Sequence, residues 1–132
     1  MGKSVLFVCS DNSAISQIAE LYLNKLNGDQ YNAYSAGIHL EELNPYLFEA
    51  MIQDGIYLSE TWVKDIEYYD GFVFDLVVLF CGDVDLSHFG SVTEVWRHSF
   101  KDPSSFKGSD EEVFKKITKL RDEIKKWIIE LN

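Results

Sequence analysis

Residues 5–16 read VLFVCSDNSAIS, a continuous apolar run that ends on a cysteine and gives way to small polar residues. The pattern is a buried strand running into a turn, with a helical pattern behind it. A thiol at that point faces the first turn of the following helix, whose unpaired N–H groups and dipole favour an anion. The stretch therefore resembles the opening of a phosphate-binding loop, Ser10, Asp11, Asn12, Ser13, Ala14, Ile15 and Ser16 following Cys9. Asp11 and Ile15 are the two residues in it whose chemistry does not suit an anion. The second cysteine, Cys81, also closes an apolar run, and an Asp102-Pro103 pair stands further on. His39, His88 and His98 have no tight metal-ligand spacing, and the two cysteines are far apart, so no metal site is expected from them.

These residues need a scaffold, and strand and helix patterns alternate along the chain. Val5 to Val8 suits a central parallel strand covered on both faces. An apolar stripe of Ile15, Ile18, Ala19, Leu21, Tyr22, Leu23 and Leu26 predicts a first helix, stopped at Asn27-Gly28. Residues 31–36 read as a second strand. A second helix begins near Pro45, with Leu47, Phe48, Met51 and Ile52 inward, and closes at Asp54-Gly55. Residues 74–80 and 92–96 are the remaining strands. The last helix spans Ser109 to Leu131, opened by a capping box and acidic first turn in Ser109-Asp-Glu-Glu112. Alternation of this kind implies a parallel sheet with helices on both faces and the Cys9 loop at its carboxyl edge.

Composition narrows the class. The chain has 132 residues, 46% hydrophobic and 14% aromatic, enough for one well-packed domain over residues 1–132. A formal charge of -10 repels nucleic acid and anionic membrane, so neither is expected as a partner. The run from Phe72 to Cys81 is interrupted by Asp75 and is too short to span a bilayer. The first strand follows Met1-Gly2-Lys3-Ser4 directly and leaves no room for a signal peptide, so a reducing cytoplasm is expected.

Several further words in the sequence carry a resemblance. Cys9 to Glu20, Tyr34-Ser-Ala-Gly-Ile38, Leu43-Asn-Pro45, Asp54-Gly-Ile56, Asp75-Leu-Val-Val78, Cys81-Gly-Asp83 and Phe100-Lys-Asp-Pro103 follow in order. Together they resemble the low-molecular-weight tyrosine phosphatase family over nearly the whole chain. Asn12-Ser13, Ser16-Gln17 and Cys81 make it most similar to the thioredoxin-coupled arsenate reductases of that family. The resemblance implies a three-layer α/β/α sandwich of flavodoxin-like type on a four-stranded parallel sheet. It also implies Cys9 as nucleophile, Asp102 as the acid that protonates the leaving group, and no cofactor. The family's loop grips its oxyanion with an arginine six positions after the cysteine; here that position is Ile15, and a loop glycine is Asp11. Charge-assisted hydrogen bonds contribute about 1.5–3 kcal/mol each, so losing a bidentate arginine slows such a reaction by orders of magnitude. A glycine at position 11 would serve a positive φ, which aspartate tolerates. Arg97, a few residues before Asp102, is the candidate replacement cation.

The family's reductases pass oxidation from the first cysteine to a second and then to a third seven residues on. Cys81 takes the second position, while the third is His88. The relay is broken there, and a buried apolar role suits Cys81 better than a Cys9–Cys81 disulfide. Asn12, Glu20 and Ser35 match residues that surround a potassium ion in the reductases, or else Asn12 and Ser35 hold the loop shape by hydrogen bonds. Tyr68 and Tyr69 match a surface tyrosine pair, in a setting equally that of a solvated turn. Three readings follow: a family member that has lost catalysis and acts as a binding or regulatory module toward an unidentified protein, with weak or absent oxyanion binding; an arsenate reductase or phosphatase with an unusual site; and a thiol redox protein built on Cys9.

Overall fold

The computed structural model describes residues 2–57 and 63–131. Strands β1 (Lys3–Cys9), β2 (Tyr31–Gly37), β3 (Val73–Leu79) and β4 (Ser91–Arg97) form one sheet in the order β2-β1-β3-β4, every pairing parallel. The helices are α1 (Ile15–Asn27), α2 (Leu47–Ile52) and α3 (Asp110–Ile129). The expected α/β architecture is present, with each strand end within about two residues of its expected place.

The uninterrupted apolar run of β1 has a direct cause. Val5, Phe7 and Cys9 face a core shared with α1, α2 and α3, while Leu6 and Val8 face a second core on the other side. A strand buried on both faces cannot alternate with polar residues. The second core packs Ala36, Phe74, Val77 and Leu79 against Tyr69 and Phe89. Among the described residues its cover is a 3-10 turn (Ile66–Tyr69) and the connection over residues 80–90, not an α-helix as expected. That connection is too short for a packed crossover helix, and aromatic rings fill the layer instead: Tyr69 meets Phe74 edge-on at 5.7 Å, and Phe74 meets Phe89 at 5.3 Å.

Several local expectations need correction. Leu26, Phe48 and Ile52 are exposed. A helix as short as α2 covers only a narrow stripe, and Leu47, Ala50 and Met51 fill it. No side chain caps α1; Ala14 stands at its N-cap. Gly28 ends α1 in a right-handed conformation (φ -58°) rather than the left-handed one, and a Cβ there would lie 2.5 Å from the Asn24 carbonyl oxygen. The capping box of α3 forms as expected: Ser109 Oγ accepts from the Glu112 N–H at 3.2 Å, and the Glu112 carboxylate accepts from the Ser109 N–H at 3.4 Å.

One glycine fixes how closely the cysteine loop can lie on the sheet. Gly37 pairs with Cys9 across the β1–β2 ladder, and a Cβ on it would stand 2.7 Å from both the Asn12 nitrogen and the Asp11 carbonyl carbon. The obstacle is backbone, so it cannot rotate away. Gly37→Ala is expected to cost about 1–3 kcal/mol through forced overpacking, read as a lower urea midpoint at unchanged m-value.

Candidate active site

The loop leaving β1 is held by its own polar atoms and by the segment after β2. The Ile38 and His39 N–H groups donate to the Ser10 carbonyl at 2.9 and 2.8 Å, and the Asn44 N–H donates to the Ser13 carbonyl at 3.0 Å. Asn12 is fully buried and carries the positive φ of the loop, 59°; it is the one such non-glycine among the described residues. The strained position is therefore 12 and not 11. Asparagine is among the few side chains that tolerate it. The amide of Asn12 donates to Ser16 Oγ at 2.8 Å and accepts from the Lys64 N–H at 2.7 Å and from Gln17 Nε2 at 3.1 Å.

Cys9 sits beneath this loop, buried. Its sulfur accepts the Asn12 N–H at 3.2 Å and lies 2.9 Å from Ser16 Oγ. Asp11 Oδ1 is 3.8 Å from the same sulfur, within reach of the thiol proton, and also accepts the Ser13 N–H at 3.0 Å. Burial above all pushes the Cys9 thiol up, and the Asp11 carboxylate adds to it; hydrogen bonds from Ser16 and Asn12 pull the other way without winning. Burial and the Asp11 carboxylate both favour the protonated thiol.

A small cavity of about 70 Å³ opens over the loop. Cys9, Ser10, Asp11 and Ile15 line it together with Phe80, Phe100, Asp102 and Pro103. Cys9 and Asp102 thus share one hollow despite their distance in sequence. Among the described residues no lysine or arginine lines it. Arg97 is turned to Asp83, with Nε at 2.9 Å and a terminal nitrogen at 2.8 Å from Oδ1, and does not replace the missing cation. The Asp102 carboxylate accepts the Ser104 N–H at 2.9 Å as the cap of a 3-10 turn. Cys81 is half-buried beyond the end of β3; burial first, then the neighbouring Cys9, pushes its thiol up. Both cysteines are free. His88 lies on the surface, 3.8 Å from Asp85.

Behind the loop, Glu20 lies beside Ser35, with a cation next to it that the sequence reading missed. Lys64 is buried, and its ammonium faces Glu20 at 4.0 Å. Burial pushes the Glu20 carboxyl up, while the Lys64 ammonium and the neighbouring Ser35 lower it. Among the described residues no group of three or more histidine, cysteine or acidic side chains is gathered as for a metal ion. Tyr69 is neither a surface tyrosine nor part of a solvated turn: it is 1% exposed and its hydroxyl donates to the Ser35 carbonyl at 3.0 Å, while Tyr68 beside it is exposed.

The model of the low molecular weight phosphotyrosine protein phosphatase family matches residues 4–132. The chain belongs to that family. An arsenate reductase of Bacillus licheniformis is 37% identical over 92% of this chain and 89% of its own length. One from Halalkalibacterium halodurans is 38% identical over 96% and 92%. A solved arsenate reductase in the phosphate binding state is 27% identical, with a TM-score of 0.69, over 98% of this chain and 99% of the other.

Within this phosphatase-family fold, sequence reading gathered Cys9, Asp11, Ile15 and Asp102 and missed the walls Phe80, Phe100 and Pro103. Phe100 and Pro103 flank the aspartate in sequence and were a usable signal; Lys64 had none, because its partner Glu20 is remote along the chain. The raised thiol has a measurable consequence. Alkylation of Cys9 by iodoacetamide is expected to be slow at pH 7 and to rise with pH, its midpoint lying above that of a free cysteine, about 8.5. Asp11→Asn removes the nearby negative charge, so its alkylation profile shifts to lower pH; an unchanged profile would show that Asp11 does not act on the thiol.

Proposed function

We propose that this chain is a family member whose cysteine loop has lost oxyanion chemistry and that it serves as a binding or regulatory module for another protein. The observation that carries this reading is the Asp11 carboxylate, which lines the cavity 3.8 Å from Cys9 and takes the Ser13 N–H that would otherwise be offered to a ligand. Two unit charges about 4 Å apart repel by about 4 kcal/mol at an effective dielectric near 20. Ile15, 8% exposed, puts an aliphatic wall where the family has its arginine, so two charge-assisted bonds of about 1.5–3 kcal/mol each are lost as well. Both effects weaken binding of a dianion, and a protonated Cys9 is a poor nucleophile. Asp102 remains in reach of the cavity as a residual acid.

A second reading rests on Cys81, a free thiol beyond the end of β3 that feels the neighbouring Cys9. A thiol redox protein would form a Cys9–Cys81 disulfide on mild oxidation, visible as a mass loss of about two hydrogens and a linked peptide pair.

Wild-type protein is expected to hydrolyse para-nitrophenyl phosphate and to reduce arsenate no faster than Cys9→Ser. Cys9-dependent turnover would overturn the proposal. The double change Asp11→Gly with Ile15→Arg removes the repulsion and restores the clamp while the loop backbone stays held by Asn12. Phosphate or arsenate should then bind by calorimetry, and Cys9-dependent phosphatase turnover should appear. Ile15→Arg alone recovers less, because Asp11 competes for the new guanidinium. A folded double variant that neither binds nor turns over would place the fault in the loop backbone instead.

A further inference from the structure

A second hollow, of about 240 Å³, lies on the other side of the Asp102 segment, between Lys101 and Phe106 on that segment and Lys116, Lys119, Leu120 and Glu123 on α3. The chain carries 22 acidic residues against 12 lysines and arginines. Among the described residues none of these three ammonium groups has a carboxylate within 4.0 Å; Lys3, Lys25, Lys107 and Lys126 are likewise unpaired, whereas Lys64, Lys115, Lys125, Arg97 and Arg121 are paired, so what sets the three apart is that they gather around one hollow. In so acidic a protein, three unpaired lysines around one hollow concentrate positive potential where the rest of the surface repels anions. Lys116 and Lys119 stand one turn apart on α3, and Lys101 closes from the facing segment. The Lys116 ammonium donates to the Lys107 carbonyl at 2.8 Å, which fixes it at the rim. The floor is apolar: Leu120 is buried, and the half-buried Phe106 ring has the Lys101 ammonium 6.0 Å from its centroid.

We propose that this hollow binds a small organic phosphate monoester, its head on the lysines and its apolar body on Phe106 and Leu120. Three lysines and Glu123 leave the lining at a net charge near that of a phosphate monoester with opposite sign, about -1.5 to -2. Ammonium groups on flexible stems are point-charge phosphate donors that need no bidentate geometry. The volume suits a compact ligand rather than a nucleotide-sized one. The 100–106 segment is shared by both hollows: Phe100, Asp102 and Pro103 face Cys9, while Lys101 and Phe106 face the lysines. Occupancy therefore acts on the residues that carry Asp102. The site needs neither Cys9 chemistry nor its loss.

Phenyl phosphate is titrated at low salt into the full chain and into Cys9→Ser, followed by amide NMR, with inorganic phosphate as a second arm. Saturating shifts are expected at Lys101, Phe106, Lys116 and Lys119, with a smaller one at Asp102. They should be equal in both proteins, and inorganic phosphate should bind several-fold more weakly because it leaves the apolar floor unused. Lys101→Gln and Lys119→Gln replace exposed side chains, and each should weaken binding by about tenfold with the rest of the spectrum unchanged. Absence of saturation, shifts confined to residues 9–16, or undiminished binding in the two lysine variants would each overturn the proposal.

Discussion

The buried amide of Asn12 is the interaction on which the rest of the site depends. It joins the loop leaving β1, the first turn of α1 and the segment at Lys64 through hydrogen bonds of 2.7–3.1 Å. A fully buried amide must have all these partners, since each unsatisfied group costs about 1–3 kcal/mol. The loop therefore has one arrangement that satisfies Asn12 and few near it. The left-handed backbone at Asn12 and the absence of a Cβ at Gly37 are the two permissions that arrangement needs. Neither depends on any charge in the loop.

Shape and charge are therefore set by different groups in this loop. Backbone and amide groups set the positions of the N–H donors; side chains at 11 and 15 set the potential they work in. With Ile15 and Asp11 in place, the Ser13 N–H is taken internally, and the thiol that would face an anion is instead raised by burial and by a carboxylate.

The ion pair behind the loop follows similar logic. Glu20 taken out of water without a cation would shift toward its neutral form, and Lys64 supplies that cation from the chain itself at 4.0 Å. Removing either partner would strand the other, so the pair acts chiefly to fix where the 64 segment lies. The same segment donates the Lys64 N–H that Asn12 requires. The two buried polar clusters thus share one stretch of backbone.

The sequence alone determined the strands, the two long helices and the order of the family's landmarks, and it singled out Cys9, Asp11, Ile15 and Asp102, which the structure places around one cavity. These follow from periodicity and from residue types at fixed spacing, both local properties of a chain. Only the tertiary structure decided that position 12 and not 11 carries the positive φ, that Tyr69 is core, that Phe48 and Ile52 are exposed, and that an α-helix does not cover the second sheet face among the described residues. It also decided that Arg97 spends its charge on Asp83 and that Lys64 answers Glu20. Each of these turns on which remote groups the fold brings within a few ångströms: a charge or a buried amide is committed by its nearest partner in space, and spacing along the chain does not encode that partner.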